Sequence, residues 1–594
     1  MVAIIAAWRT RGMAGGAIFA VHPVQVETVA WVTERKNVLI GFFFLLSLLS
    51  WIRFIRDEER GQRSWFYYVL SLGLYLPALF SKTTACTLPA ALVLVFWVKK
   101  IPMGAKRWLQ VLPYVLLSTG MGMLAMWWEK HHQGTGELNL NLSLVERVLI
   151  ASRALWFYLE KLVWPVQLTF SYPKWKIDAG NPLQYIWLLA CLIAAGCIWR
   201  RREKLGRGFI AAFVFFIATL MPTLGFIPLY TFTYTYAADH YQYLACIGPI
   251  AIFAAASYKA AYRWGWRVDI AGAIILLVLG VLSWKQCHVY KNAETIWRDT
   301  LKKNPYSWMA HNNLGIMLEG EGRADEAIEH YKEALQLKAD HAEANNNLGS
   351  ALLSQGKFYE SIGFLRRAIE VKANYPEAYY NLGAAYLIVG RYQDAVEAFR
   401  KCTKIKPAFA EAYYSLGSAY VKLGRVESGV EAFKQAIKVK PNFAEAWCDL
   451  GAAYGVLSQW ETAAEACKHS IKLKPDSAEA HCNLGIAFGK LGRWDEATGA
   501  LKDAIKIRPA YSEAYNYLGA AYGMLGRHRD AIAACSEAVK LKPNFVDAHY
   551  NLGISYYMSG DRGSAIKEYK IIEALDVQKA NQLLGVIGQN SSPR

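Results

Sequence analysis

Three short polar segments hold the residues in this chain that are capable of chemistry. The first is His22-Pro23-Val24-Gln25-Val26-Glu27-Thr28-Val29-Ala30-Trp31-Val32-Thr33-Glu34-Arg35-Lys36-Asn37. The second is Ser81-Lys82, and the third is Asp239-His240-Tyr241-Gln242-Tyr243-Leu244. Each lies at the end of an apolar run. Arg35 and Lys36 open such a run, with Asn37 placed to cap the helix it forms. A helix N-terminus carrying two cations is a site for phosphate at a membrane surface, and Lys82 adds a third cation. Glu34 beside them would orient the cations or a metal. His22, Glu27, Glu34, Asp239 and His240 are the candidate acids and bases. Any one of these segments alone reads equally well as interfacial anchoring by charged and aromatic residues. His22 taken singly reads as a hydrogen-bonded structural histidine. Their coincidence on one surface favours a functional site. No Gly-rich nucleotide loop, HExxH pair or GxSxG elbow occurs, so ATPase, metalloprotease and hydrolase chemistries have no support, and no metal site is expected.

The elements that must position these residues come from two different materials. Residues 1–290 are dominated by long apolar runs, and a run of ~18–20 residues crosses a bilayer. Nine spans are expected, near 13–31, 37–53, 65–81, 83–98, 108–127, 183–199, 208–229, 242–259 and 269–288. The first is interrupted by Pro23, Glu27 and Thr28. The apolar stretch 149–165 carries Arg153, Glu160 and Lys161, and reads as an interfacial helix. The opening residues read as the tail of a membrane helix, with no cleavable signal peptide.

The net charge of +18 is distributed in alternate short loops, which argues for membrane orientation and against nucleic acid. The clusters are Arg9 and Arg11; Arg53, Arg56, Arg60 and Arg63; Lys99, Lys100, Lys106 and Arg107; Arg200, Arg201, Arg202, Lys204 and Arg207; and Lys259, Arg263 and Arg267. The positive-inside rule places these loops in the cytoplasm. The three polar segments then share the opposite surface, and nine spans carry the C-terminal half outside as well. That expectation places the protein in a bacterial inner membrane with its C-terminal half in the periplasm, or in a eukaryotic secretory organelle with that half in the lumen.

The second material is a repeat. Leu-Gly pairs recur every 34 residues, from Leu314-Gly315 to Leu552-Gly553, the period of tetratricopeptide helix pairs. The expected class is therefore all-α: a polytopic membrane domain over 1–290, a joining half repeat over 291–306, eight repeats over 307–573, and a capping helix with its tail over 574–594. Asparagine and tyrosine precede the Leu-Gly pairs. Asn313, Asn347, Tyr380, Asn381, Tyr414, Asn483, Asn516 and Asn551 would line a groove for extended polypeptide, their amides pairing with backbone without reading side chains. The alternative is that asparagine here serves helix packing. The cysteines form no CxxC pair and read as buried structural thiols.

The first segment resembles the HPVHVEAVAWVSERKD-type motif of the transmembrane and tetratricopeptide-repeat family. Its members are multi-spanning glycosyltransferases of the GT-C type, related to the protein O-mannosyltransferases, with bacterial relatives. SKTTACTLPAALVLVFW is similar to that family's SKExAVTLPxxLLLLDW, and ADHYQYLACIG to its ADRYxYLPSIG. The resemblance implies transfer of a sugar, often mannose, from a polyprenyl-phosphate donor to protein hydroxyls on the outer or luminal face. It implies that Glu34, Arg35 and Lys36 handle the donor phosphate, beside which position places Asn37 and Lys82, while His22, Glu27, Asp239 and His240 shape the same site. The family has two more N-terminal spans, with an acidic motif in the first outward loop. The present sequence begins after that point, with Asn37 and Phe96 where the family has aspartate. Two readings follow. One is a glycosyltransferase-like membrane protein whose repeats receive acceptor polypeptide. The other is a non-catalytic membrane scaffold that assembles envelope proteins through its repeats.

Overall fold

A computed structural model describes residues 13–31, 34–62, 65–132, 142–227, 230–264 and 266–588. Arg9, Arg11 and Arg63 of the basic clusters, and Val32 and Thr33 of the first polar segment, lie outside the described residues. Among the described residues every regular element is a helix. The chain forms two compact units, Met1–Ala339 and Asp340–Arg594.

In the first unit, five helices are long and apolar enough to cross a membrane: Arg35–Glu59, Ala105–Trp128, Pro182–Arg200, Arg202–Thr223 and Ile270–Val289. Trp65–Ser81, Thr83–Val98 and Ile247–Ala260 are shorter apolar helices at three more of the expected positions. Along Pro182–Arg200 the side chains of Leu189, Leu192 and Ile193 are all exposed. An exposed aliphatic face on a helix of this length suits lipid. The core of the unit is aromatic. Trp51 is fully buried among Phe54, Tyr68, Phe96 and Tyr114, at ring separations of 5.4–6.0 Å.

Two expected spans are corrected. The stretch 13–31 is not one helix. Met13–Val21 stops at His22, where Pro23 opens a 3-10 turn, and the short helix Val26–Ala30 follows. Proline lacks the N–H that would continue the ladder. The helix expected over 208–229 ends at Leu220, and its upstream part is broken at Gly206, whose φ is +77°. The amphipathic helix is Leu144–Val163, opened by a reciprocal Ser143–Glu146 capping box.

The joining helix Ala293–Lys303 and the first repeat, Trp308–Gly320 with Ala324–Leu337, pack with the membrane half. Lys303 Nζ donates to Leu168 O at 2.7 Å, and Asn304 Nδ2 to Ser171 O at 3.1 Å. Trp297 meets Phe170 edge-on at 5.2 Å, and Phe170 meets Trp31 at 5.1 Å. The segment 166–175 is therefore fastened on one side to the repeats and on the other to the first polar segment.

In the second unit each repeat is a 13-residue helix, a tight turn and a 14-residue helix, as in Ala410–Lys422 and Val426–Val439. The invariant glycine is a contact point. A Cβ on Gly417 would lie 2.6 Å from the Phe433 ring, so only glycine lets the paired helix approach. The turn needs a left-handed residue, supplied by glycine at Gly390, Gly424 and Gly492, but by Ser458 (φ +59°) in one repeat. A β-carbon in that region costs about 1–2 kcal/mol. Ser458→Gly should therefore raise stability by about 0.5–1 kcal/mol, after the greater chain entropy of glycine is set against it, as read by thermal unfolding. The last helix, Val577–Gly588, buries Leu583 and Ile587 against the final repeat.

Candidate functional site

The structure gathers the three polar segments into one cluster. Helix Arg35–Glu59 begins just after Glu34. Gly41 on this helix has space only for the Tyr243 ring, since a Cβ there would stand 2.9 Å from it. This close approach brings Asp239–Gln242, a single 3-10 turn, beside the start of the helix. Lys82 extends its amine from the end of Trp65–Ser81.

Two clusters, each built on a buried carboxylate, form the centre. In the first, Glu34 is shared. Its carboxylate lies 3.3 Å from Lys36 Nζ and 3.7 Å from Lys82 Nζ, and accepts from Asn37 Nδ2 at 2.5 Å. Lys82 Nζ also donates to Asn37 Oδ1 at 2.6 Å. Burial pushes the Lys82 amine down to about 8, opposed by Glu34. Glu34 itself is held below the ordinary glutamate range. Burial pushes it upward, but His240, Lys82 and Lys36 together prevail. In the second pair, Glu27 Oε1 is 2.7 Å from His240 Nδ1, and Glu27 Oε2 accepts the His240 backbone N–H at 3.3 Å. Burial, then Glu34, raises Glu27 to about 8. Burial, then Lys82, lowers His240 to about 3.

Around these pairs stand Tyr172 and Tyr158, which the sequence reading did not single out, and Tyr241 of the third segment. Tyr172 donates to Asp239 Oδ1 at 2.9 Å. The hydroxyl of Tyr158 accepts the Ala238 N–H at 3.4 Å, and Tyr241 is bonded to Thr231. Burial first, then Glu27, raises Asp239 well above the usual carboxylate range. Asp239 and its neighbours sit on a turn, and Tyr158 and Tyr172 come from the amphipathic helix and the segment after it. Only the tertiary fold joins them. Their one local signal is the density of aromatic residues between 156 and 175.

The candidates separate by position. His22 uses both ring nitrogens. Nδ1 accepts the Val24 N–H at 3.3 Å, so Nε2 donates to Leu162 O at 3.0 Å. It is a structural pin between the first segment and the amphipathic helix. Asn37 is not a cap. It lies inside the first turn of the helix, buried, and bridges Glu34 to Lys82. Arg35 is exposed and makes no ion pair among the described residues. Lys36 and Lys82 are the cations that pair with Glu34. Among the described residues no group of three His, Cys, Asp or Glu is placed to hold a metal.

The asparagines before the Leu-Gly pairs form a ladder. Asn381 donates to Asn346 Oδ1 at 3.0 Å and Asn551 to Asn516 Oδ1 at 2.9 Å, each reaching back one repeat. Asn483 points to Cys448 Sγ at 3.7 Å, and Tyr414 donates forward to Asp449 at 2.8 Å. Asn516 is buried by this bonding, while Asn313, Asn347, Tyr380, Asn381, Tyr414, Asn483 and Asn551 stay partly open. Asn381, Asn551, Asn483 and Tyr414 thus bond across neighbouring repeats, whereas Asn313 and Asn347 accept from the preceding asparagine of their own helix. The acidic residues that open the first helices pair with cations 29 residues later, as in Lys440–Glu411 at 3.0 Å and Lys406–Glu377 at 2.9 Å.

Fold and site together define a polytopic helical membrane protein that carries a tetratricopeptide-repeat solenoid. Comparison with known proteins agrees. Residues 306–374 match the tetratricopeptide-repeat family, and residues 344–571 match the family described as cilia and flagella-associated protein 70 C-terminal domain. The chain is 26% identical over 387 residues to human protein O-mannosyl-transferase TMTC1, covering 57% of this chain and 43% of that protein. It is 24% identical over 371 residues to human protein O-mannosyl-transferase TMTC4, covering 53% and 47%. The chain is similar to these membrane proteins and spans about half the length of these curated relatives. Among solved structures it is similar to YrrB, described as a TPR protein with an unusual peptide-binding site. That match has 22% identity and a TM-score of 0.29, and covers 32% of this chain and 96% of that one.

Proposed function

We propose that this protein is a membrane glycosyltransferase of the protein O-mannosyltransferase type. In this reading it takes a sugar from a polyprenyl-phosphate donor and transfers it to serine or threonine hydroxyls, at the periplasmic or luminal membrane surface. The repeats present the acceptor polypeptide. The observation that carries the reading is the pair of lysines, Lys36 and Lys82, held on Glu34 and Asn37 at the membrane end of a helix. Two cations fixed by one carboxylate and one amide are suited to a phosphate oxyanion. Polar groups to handle a hydroxyl lie alongside on Glu27 and His240. The homology to named mannosyltransferases supports the same chemistry. The bonding of the asparagine ladder leaves one amide proton and one oxygen of Asn381 and Asn551 to meet a peptide.

The test is transfer by the purified full chain in lipid vesicles, with polyprenyl-phosphate mannose and a serine/threonine peptide. The peptide should gain the mass of one hexose. An unmodified peptide, with no donor bound, rejects the reading. Orientation is checked separately. A reporter active only outside the cytoplasm should work when fused after residue 300 and fail when fused within 200–207.

A further inference from the structure

The first repeat departs from the others at one pair of positions. The fourth residue of each first helix is paired, 19 residues on, with a residue of the second helix. In repeats three to seven that second residue is alanine, at Ala398, Ala432, Ala466, Ala500 and Ala534, all buried. A small side chain there gives room to the ring at the fourth position, as at Tyr379 and Tyr413. The first repeat has His311 at the ring position and His330 at the alanine position. Their Nδ1 atoms stand 3.0 Å apart and their ring centres 5.2 Å.

We infer that His311 and His330 form a binding site for a divalent transition-metal ion, copper(II) foremost. The orientation of the donors carries the inference. His311 Nε2 lies 3.3 Å from Pro305 O. A carbonyl only accepts, so Nε2 bears the hydrogen and Nδ1 is bare. The repeat itself sets this tautomer. His481 and His549, at the same position, donate likewise to Pro475 O at 3.1 Å and Pro543 O at 2.8 Å. Metal-bound histidines are oriented in this way, by a bond from the ring nitrogen that does not face the metal. What the bare Nδ1 meets differs between repeats. In the sixth repeat the residue opposite is Ala500, and His481 is a lone donor. In the eighth, His549 Nδ1 is closed by Glu568 at 2.5 Å, and the histidine is buried. In the first, a second imidazole stands opposite, and both rings are part-exposed, open to an ion from solvent.

The distance suits one metal shared by both rings. Two nitrogens about 2.0–2.1 Å from one metal stand about 2.9 Å apart at a right angle and about 3.3 Å apart at the tetrahedral angle. The observed 3.0 Å is nearer the first, the angle of tetragonal copper(II) and nickel(II). In the metal-free pair, His330 Nδ1–H donates to the bare His311 Nδ1. On metal binding that hydrogen passes through water to His330 Nε2, and the two Nδ1 lone pairs turn to the ion. Both rings stay neutral, so no net proton is released. No third His, Cys, Asp or Glu among the described residues is placed with them. Water therefore fills the remaining positions, and the metal stays exchangeable. Arg298 acts on His330, but its charge is offset by Glu294 at 2.7 Å and Glu326 at 3.6 Å. The exposed Glu329 and Glu333 act on the pair in favour of a cation.

The ion would tie the two helices of the repeat that packs with the membrane half. An ion that binds only the folded state raises its stability, so thermal unfolding of this part of the chain should shift upward with copper(II). The site shares no residue with the polar cluster, and its failure leaves the proposed function standing.

The experiment uses the full chain, purified without a polyhistidine tag and stripped of metal. It is titrated with copper(II), nickel(II), zinc(II) and magnesium(II) against a competing chelator dye. One copper(II) per chain should bind most tightly, with nickel(II) and zinc(II) weaker and magnesium(II) not bound, the order that imidazole donors impose. Loss of a residue that only orients a ligand costs about 10–100-fold in metal affinity, so His311→Gln and His330→Gln should each cost at least about tenfold. His330→Ala gives the first repeat the pairing that the sixth already has, and should show the same loss. His481→Gln, which removes a lone imidazole, should leave the tight site unchanged. The electron paramagnetic resonance spectrum of the wild-type chain with one equivalent of copper(II) should show coupling to two imidazole nitrogens. That spectrum decides even where a variant is unstable, since a single nitrogen or none overturns the site. Copper(II) held by His330→Ala as tightly as by the wild type overturns it as well. So does an equal loss in His481→Gln, which would place the metal elsewhere.

Discussion

Neutralising Lys36 and Lys82 together, as Lys36→Gln with Lys82→Gln, should weaken binding of polyprenyl-phosphate mannose by at least ~100-fold. A charge-assisted contact to phosphate contributes about 1.5–3 kcal/mol, and every 1.4 kcal/mol is tenfold in affinity. Lys82 should account for the larger share. Its side chain is 16% exposed against 46% for Lys36, so its charge is less screened by water and salt. The exposed Arg35 should matter little, and Arg201→Gln with Arg202→Gln, in a separate basic cluster, should leave binding intact. The pH dependence has a definite sign. The Lys82 amine is lowered to about 8 in the free protein, and an anion is bound by its charged form. Wild-type affinity should therefore be highest below about pH 8 and fall above it, and Lys82→Gln should lose that fall. Binding is read on the purified protein by competition with unlabelled polyprenyl phosphate. A double variant that binds within about threefold of wild type would make this cluster an interfacial anchor and bring forward the scaffold reading.

Trp297→Ala should release the joining helix from the membrane half. Trp297 is 8% exposed and its ring closes on Phe170 at 5.2 Å. Truncating a buried tryptophan costs about 3–5 kcal/mol. The neighbouring bonds from Lys303 and Asn304 to the 168–171 backbone are worth about 1 kcal/mol each and cannot hold the helix alone. Limited proteolysis should open a site near 289–292 in the variant and not in the wild type. The effect should reach the polar cluster, since Phe170 also packs on Trp31, and the adjoining Tyr172 donates to Asp239. Donor affinity should therefore fall together with proteolytic stability. Trp447, which stacks on His469 at 4.6 Å within the second unit, serves as the control. Trp447→Ala should leave both the 289–292 site and donor binding unchanged. If Trp297→Ala is as resistant as the wild type, the segment 166–175 is not what fastens the repeats.

The amino-acid sequence by itself determined the class of this protein. A 34-residue period leaves one architecture, because each Leu-Gly places a glycine where only hydrogen fits against the partner helix, as at Gly417 and Phe433. Apolar runs bounded by arginine clusters state the membrane helices in the same local way, since length and composition alone decide whether a helix is stable in lipid. The three polar segments were legible too, as charges that an apolar stretch does not otherwise carry.

Which of their residues meet was decided by tertiary structure. Glu27 and His240 are 213 residues apart in sequence, and no local pattern pairs them. Contact follows from Gly41, which admits the Tyr243 ring and sets the 239–242 turn against the first segment. Asn37 reads as a cap in sequence because asparagine favours helix ends. It became a bridge because Lys82, 45 residues away, arrives within 2.6 Å of its oxygen. The asparagine ladder shows the same limit. The residue type permits a peptide contact or a neighbouring amide equally. The stacking of one repeat on the next brings the neighbouring amide within reach, because an amide buried between helices is bonded by whatever packs closest.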